Sequence, residues 1–177
     1  LEGIGILFEE LLEEEEIKEL YYITDIGGST INYLTVSEFL PVEKECFSEE
    51  KGVHFLARRL TNFIRQRGEI INEDVIKKNL VAERSLGNEV LDELKKEFGL
   101  KYVAETIEKS WKSIGVNIKE MISYQPFYIT GGGAGLFKEE LEEYFKVGNK
   151  TVTIKPQSVW SNCRGFRNYG KYKLGKK

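Results

Sequence analysis

The sequence predicts an α/β domain with a central mixed sheet, a β-meander plus parallel strands, flanked by helices. Three observations predict it. Short β-branched and aromatic runs lie on either side of a glycine turn, YYITDI-GGST-INYLTV, as in a hairpin. A block of apolar residues at helical spacing follows, from Val53 to Ile118. Then FYIT runs into GGGAG and a further helical pattern, which reads as strand, glycine turn, helix. The expected order is β-β-β-α-α-α-β-α-β-α.

Each element has a local reason. YYITDI reads as a buried strand ending at Gly27-Gly28, INYLTV as its partner, and PVEKECF as the third strand of the meander. Val53, Leu56, Leu60, Phe63 and Ile64 share one helical face, and Gly68 ends that helix. Asn72 reads as an N-cap, with Glu73 and Asp74 in the first turn of the next helix. Residues 88–98 form a short amphipathic helix closed at Gly99. Val103, Ile107, Trp111, Ile114 and Ile118 line another, with Gly115 the candidate break. Pro126 stops the helical pattern ahead of FYIT. Leu136 to Phe145 is helical, TVTI is the last strand, and residues 158–172 a terminal helix.

Composition narrows the class. The 177 residues are 41% hydrophobic and 31% charged, an ordinary globular balance. No run of about 18 apolar residues occurs, so no membrane helix is expected. The opening LEGIGILFEELLEEEE has no basic n-region, so no secretory signal is expected. Cys46 and Cys163 are the two cysteines, without a C-x-x-C pair. That argues against a disulfide framework or structural zinc and for a reducing cytoplasm. His54 is the single histidine, which disfavours a Ser-His-Asp hydrolase. It reads as a surface or half-buried side chain.

Charge is uneven within a net of −3. Residues 1–50 carry 14 acidic side chains against Lys18 and Lys44, and residues 150–177 carry eight basic ones and no acidic one. These ends are either solvated or matched to complementary partner surfaces. With an acidic chain and no further basic stripe, direct nucleic-acid contact is not expected.

Two glycine motifs carry the chemistry. In Asp25-Ile26-Gly27-Gly28-Ser29-Thr30 a carboxylate ends a buried strand, where it is costly unless paired or holding a metal or its water. The glycines let backbone N–H groups approach a ligand, and the two hydroxyls add donors, which together suit phosphate and Mg2+. The same residues also make an ordinary hairpin, with Gly27 and Gly28 supplying positive φ and Asp25 capping the turn. In Ile129-Thr130-Gly131-Gly132-Gly133-Ala134 the glycines allow close backbone approach to a flat or anionic group at a helix start. The second motif is equally a βα loop, and it lacks the spacing of a Rossmann fingerprint. Gly165 to Lys171 has P-loop spacing, but Tyr172 stands where a Ser or Thr would hold magnesium.

In this order, about 100 residues apart, the pair resembles the ATPase superfamily of actin, heat-shock chaperones and sugar kinases, with its ribonuclease H-like fold. DIGGST resembles the superfamily's second phosphate motif and ITGGGA its adenosine motif. The closing PQSVWSNCRGFRNYG resembles the ParM-like, plasmid-partitioning branch. The resemblance implies the second domain of a two-domain ATPase over residues 21–177, with residues 1–20 as interdomain linker or acidic lead-in. No counterpart of the first phosphate motif occurs, and the chain starts at Leu1, so a preceding domain is expected. Asp25 would be the catalytic residue, ordering the attacking or Mg2+-bound water. Gly27, Gly28, Ser29 and Thr30 would contact phosphates of ATP or GTP, and Gly131, Gly132 and Gly133 the adenosine. Glu73 and Lys77, at i and i+4, are candidates for the ribose pair, and equally for a plain helix ion pair. The implied output is nucleotide-dependent filaments that segregate plasmid DNA through an adaptor protein. The alternative is a non-enzymatic actin-like scaffold or adaptor with weak or no hydrolysis.

Overall fold

The computed structural model describes Gly5, residues 20–38, 40–81 and 85–155, and Cys163, Arg167, Asn168, Gly170 and Lys171. Most of the acidic lead-in and of the closing segment lies outside these residues. Of the expected terminal helix over 158–172, the described positions are helical.

Strands β1 (Leu20–Ile26) and β2 (Ile31–Ser37) form the expected antiparallel hairpin, in register from Leu20 opposite Ser37 to Ile26 opposite Ile31. The third meander strand is not continuous. It divides into β3 (Leu40–Pro41), a 3-10 turn (Glu43–Glu45) and β4 (Phe47–Glu49), both strands pairing with β2. Pro41 lacks an amide hydrogen, and such a residue belongs at a sheet edge. Beyond the helical block, β5 (Phe127–Thr130) lies parallel to β1, and β6 (Thr153–Ile154) parallel to β5. The sheet runs β3-β2-β1-β5-β6. It is mixed, as expected, but β6 is shorter than TVTI.

Helix α1 (Val53–Gln66) buries Leu56, Leu60 and Ile64 and is followed by Gly68 at φ +86°. Helix α2 (Glu73–Val81) starts where Asn72 Oδ1 accepts the Asp74 N–H at 2.8 Å. Helix α3 (Glu89–Phe98) is capped by Asn88, whose Oδ1 accepts from the Leu91 N–H at 2.9 Å. Gly99 does not close α3. The chain passes through a π-turn (Gly99–Ala104) directly into α4 (Glu105–Ser113). Gly99 serves packing here. A Cβ on it would lie 2.7 Å from Glu140 Cγ and 3.1 Å from Phe137 Cδ1. Gly115, at φ +84°, is the break before α5 (Ile118–Met121). The last helical stretch opens as a 3-10 turn (Gly135–Phe137) and becomes α6 (Lys138–Tyr144).

β1 is covered on both faces, which explains its unbroken apolar reading. Tyr22, Ile26, Tyr33, Phe127 and Ile129 face the helices, while Tyr21, Ile23, Leu34, Val36 and Tyr128 form a second cluster. Trp111 is the hub of the helical side. It meets Tyr22, Tyr33 and Phe127 edge-on at 5.2–5.7 Å. Its indole N–H donates to Thr24 Oγ1 at 2.8 Å, tying α4 to the strand that carries Asp25. Such edge-to-face contacts exploit the positive ring edge against the negative face.

Candidate functional site

The two glycine turns, far apart in sequence, meet at one end of the sheet. Parallel pairing sets Asp25, one residue before the end of β1, beside Thr130, the last residue of β5. The Gly133 N–H donates to the Ile26 carbonyl at 2.8 Å. Gly131 takes φ +92°, and a Cβ there would overlap Asp25 Oδ1 and the Ile26 carbonyl oxygen. The Asp25 carboxylate, 4% exposed, therefore rests against the backbone of the second motif. Thr130 Oγ1 is buried beside it without a hydrogen-bond partner among the described residues.

The three glycines of that motif divide their work. Gly131 and Gly133 are buried against β1, and a Cβ on Gly133 would strike the side chains of Ile26 and Val53. Gly132 is exposed and has no positive φ. Of the three, Gly132 is the one open to a ligand.

The first turn is organised differently from an ordinary positive-φ hairpin. Neither Gly27 nor Gly28 has positive φ, which corrects that expectation. The Gly27 N–H donates to the Thr30 carbonyl at 2.8 Å, and a Cβ on Gly27 would stand only 3.2 Å from that oxygen. The start of α1 then draws the turn's carbonyls inward. Gly52, Val53 and His54 donate their N–H groups to the carbonyls of Ser29, Gly27 and Gly28, at 3.0, 2.9 and 3.0 Å. A Cβ on Gly52 would lie 2.5 Å from Thr30 N, so only glycine admits this approach. With the carbonyls spent on α1, Gly28 and Ser29 are exposed and their N–H groups have no protein acceptor among the described residues. Exposed N–H groups at a turn whose carbonyls are already bonded are suited to an anion.

Glu49, at the end of β4, braces this arrangement. It accepts from Tyr33 at 3.0 Å, Ser110 at 2.8 Å and Lys51 at 3.1 Å. Burial pushes its carboxyl up, but the hydrogen bonds from Ser110, Lys51 and Tyr33 outweigh this and hold it below the ordinary value. Burial raises the Tyr33 phenol, which stays a donor.

Glu73 and Lys77 are bonded to each other at 2.6 Å across one turn of α2. That hydrogen bond holds the Glu73 carboxyl below its usual range. The sequence pattern missed a cavity of about 800 Å3 between α3 and the segment after the glycine run. Ser85, Asn88, Asp92, Lys95, Gly135 and Leu136 line it, and Glu73 and Lys77 do not. Asp92 accepts from Ser85 Oγ at 2.5 Å and from the Leu86 N–H at 2.7 Å, fixing one rim. Periodicity marked α3 as a helix but could not show which side faced the glycines.

The residues fit a phosphate with Mg2+. Among the described residues no three His, Cys, Asp or Glu side chains converge. A magnesium ion here would be held by Asp25, directly or through water, and by phosphate oxygens, its usual manner of binding. No described helix is long and apolar enough to cross a membrane.

Comparison with known proteins bears on the fold and the family. No curated protein matches the chain. Among solved structures, the apo pSK41 ParM protein superposes with a TM-score of 0.71 at 22% identity, covering 98% of this chain and 49% of that one. The archaeal actin homolog Ta0583 in complex with ADP gives 0.65 at 19% identity, covering 96% and 55%. The Alp12 filament structure gives 0.63 at 22% identity, covering 97% and 53%. These likenesses establish the fold, and the chain spans about half the length of each. The family described as archaeal actin homologue MreB-like, C-terminal, matches residues 23–143, more than half of the chain, and the chain belongs to that family.

Proposed function

We propose that the chain is the second nucleotide-binding domain of an actin-like ATPase that assembles into filaments in response to ATP or GTP with Mg2+. The observation that carries this reading is the meeting of the two glycine turns, with Asp25 against Gly131 and Gly133 bonded to Ile26. Gly28, Ser29 and Thr30 hold the phosphates through N–H and hydroxyl groups. Asp25 orders the water that Mg2+ or the terminal phosphate requires. Gly132 passes under the ribose, and the cavity beside Gly135 and Leu136, within the usual range for small-molecule sites, takes the nucleoside. Glu73 and Lys77 serve as the α2 ion pair, a role that leaves the ribose to the α3 rim.

Phosphoryl transfer is mostly positioning and charge stabilisation, and it needs the phosphates held from more than one side. The opposing contacts come from the first domain, and phosphate-dependent closure of the two sets the filament-competent state. Support for nucleotide and filament comes from relatives in complex with ADP and from a filament structure. Plasmid segregation through an adaptor is the biological output in the ParM-like branch, and we extend it to this protein as the use of such filaments.

Two measurements test the reading. Light scattering of the natural full-length protein should rise with ATP-Mg2+ and stay flat without it. A flat trace with nucleotide bound supports the scaffold alternative instead. In a fluorescent-nucleotide titration, Gly132→Val should weaken binding about tenfold or more while its melting temperature changes by a few degrees at most. Equal affinity of variant and parent would remove the glycine run from the ligand.

A further inference from the structure

The single histidine of the sequence stands against the first glycine turn. His54 is the second residue of α1, and its backbone N–H is bonded to the Gly28 carbonyl. Its ring reaches the same residue from the outside. A Cβ built on Gly28 would lie 3.7 Å from His54 Nε2 and 3.9 Å from Cδ2, ordinary contact distances. The side chain is exposed, and neither ring nitrogen has a protein partner among the described residues. An N–H donor without an acceptor thus stands next to exposed backbone N–H groups that also lack one.

We propose that the His54 imidazole is the side-chain phosphate contact of the Gly27–Thr30 turn, and that it sets the preference for nucleoside di- and triphosphates over nucleosides. The inference rests on the nucleotide-binding reading above and adds a residue to it. Backbone N–H groups bind any anion of suitable size. An imidazole N–H at the rim adds a directed, charge-assisted bond to a phosphate oxygen, stronger than one between neutral groups. The placement follows from the sequence. Gly52 lets α1 start in contact with the turn, and the two N–H bonds of Val53 and His54 fix the first helical turn, so position 54 projects beside Gly28. Nothing in the helical pattern of α1 requires a histidine there, because its buried face is carried by Val53, Leu56, Ala57, Leu60 and Ile64.

Two experiments on the protein test this. First, the His54 ring Cε1–H resonance, assigned by its loss in His54→Gln, is followed through a titration with pyrophosphate. The resonance should move and saturate. A resonance that stays in place while ADP binding is demonstrated overturns the proposal. Second, affinities for adenosine and ADP are compared in the parent, His54→Ala and His54→Gln. His54→Ala should bind ADP about tenfold more weakly with adenosine affinity unchanged, and His54→Gln, which keeps an N–H donor, should recover part of the loss. Equal losses for adenosine and ADP mean a structural role and overturn the proposal, as does unchanged ADP affinity. A parent that binds no nucleotide overturns the nucleotide reading itself, a different outcome from a parent that binds and a His54→Ala that binds equally well.

Discussion

Replacing Gly131 by alanine probes whether the two turns are in contact. Position 131 needs φ +92°, which an L side chain adopts at a cost of roughly 1–2 kcal/mol. The new Cβ would also overlap Asp25 Oδ1 and the Ile26 carbonyl oxygen, and would lie 2.6 Å from the Ile26 carbonyl carbon. These are backbone and a buried carboxylate, so the strand ends must separate. Forcing extra carbon into a packed site costs roughly 1–3 kcal/mol more. The total is about 4 kcal/mol, a large share of the 5–15 kcal/mol that holds typical domains together. At about 2–4 °C per kcal/mol for a domain of this size, the melting temperature should fall by roughly 10 °C. Gly68 is the control. It has a similar φ of +86° with nothing within 4 Å of an added Cβ, so Gly68→Ala bears the backbone cost alone. It should lose only about 5 °C by the same scale. Thermal unfolding followed by circular dichroism reads both. Equal shifts for the two variants would refute the close approach of Gly131 to Asp25.

Two further outcomes follow from packing and charge. Gly99→Ala should destabilise by roughly 1–3 kcal/mol in urea unfolding although alanine favours helices, because its Cβ meets Glu140 Cγ at 2.7 Å; a stabilised variant would show that α6 yields freely. Glu49 has a carboxyl held below its unfolded value of about 4.3, so it contributes stability that is fully present above that pH and lost as pH falls through the lower folded value. Glu49→Gln should therefore lower the melting temperature at pH 6 and flatten its decline between pH 5 and pH 3. Parallel pH profiles for parent and variant would contradict the bracing role.

Much of the fold was legible because it is locally encoded. β1 and β2 are apolar, β-branched runs on either side of a glycine pair, and the Asn72 cap marks a helix start with its own side chain. The misreadings came from contacts between distant residues. Gly99 looks like a helix stop until Glu140 and Phe137 are seen packed on it, where its missing side chain admits α6. PVEKECF has strand-like residues at its ends, but its middle forms the 3-10 turn Glu43–Glu45. At the candidate site, the residue types of both turns could be read in sequence. The division of labour among Gly131, Gly132 and Gly133 could not, because it depends on β1 lying beside β5. His54 reads in sequence as a surface or half-buried side chain, and it is exposed. A lone histidine beside an apolar stripe carries no signal until Gly52 brings α1 against the turn.

Phosphate release from the natural full-length protein and its Asp25→Asn variant, measured beside nucleotide binding, tests the central claim most directly. Asparagine keeps the shape of the side chain at the buried position next to Gly131 but removes the charge that would order water and metal. The parent should release phosphate in an ATP-dependent manner and the variant should lose at least about a hundredfold, equivalent to roughly 2.7 kcal/mol of barrier, with ATP affinity within about threefold of the parent. A parent that neither binds nor hydrolyses ATP, or a variant that turns over at the parental rate, would contradict that claim.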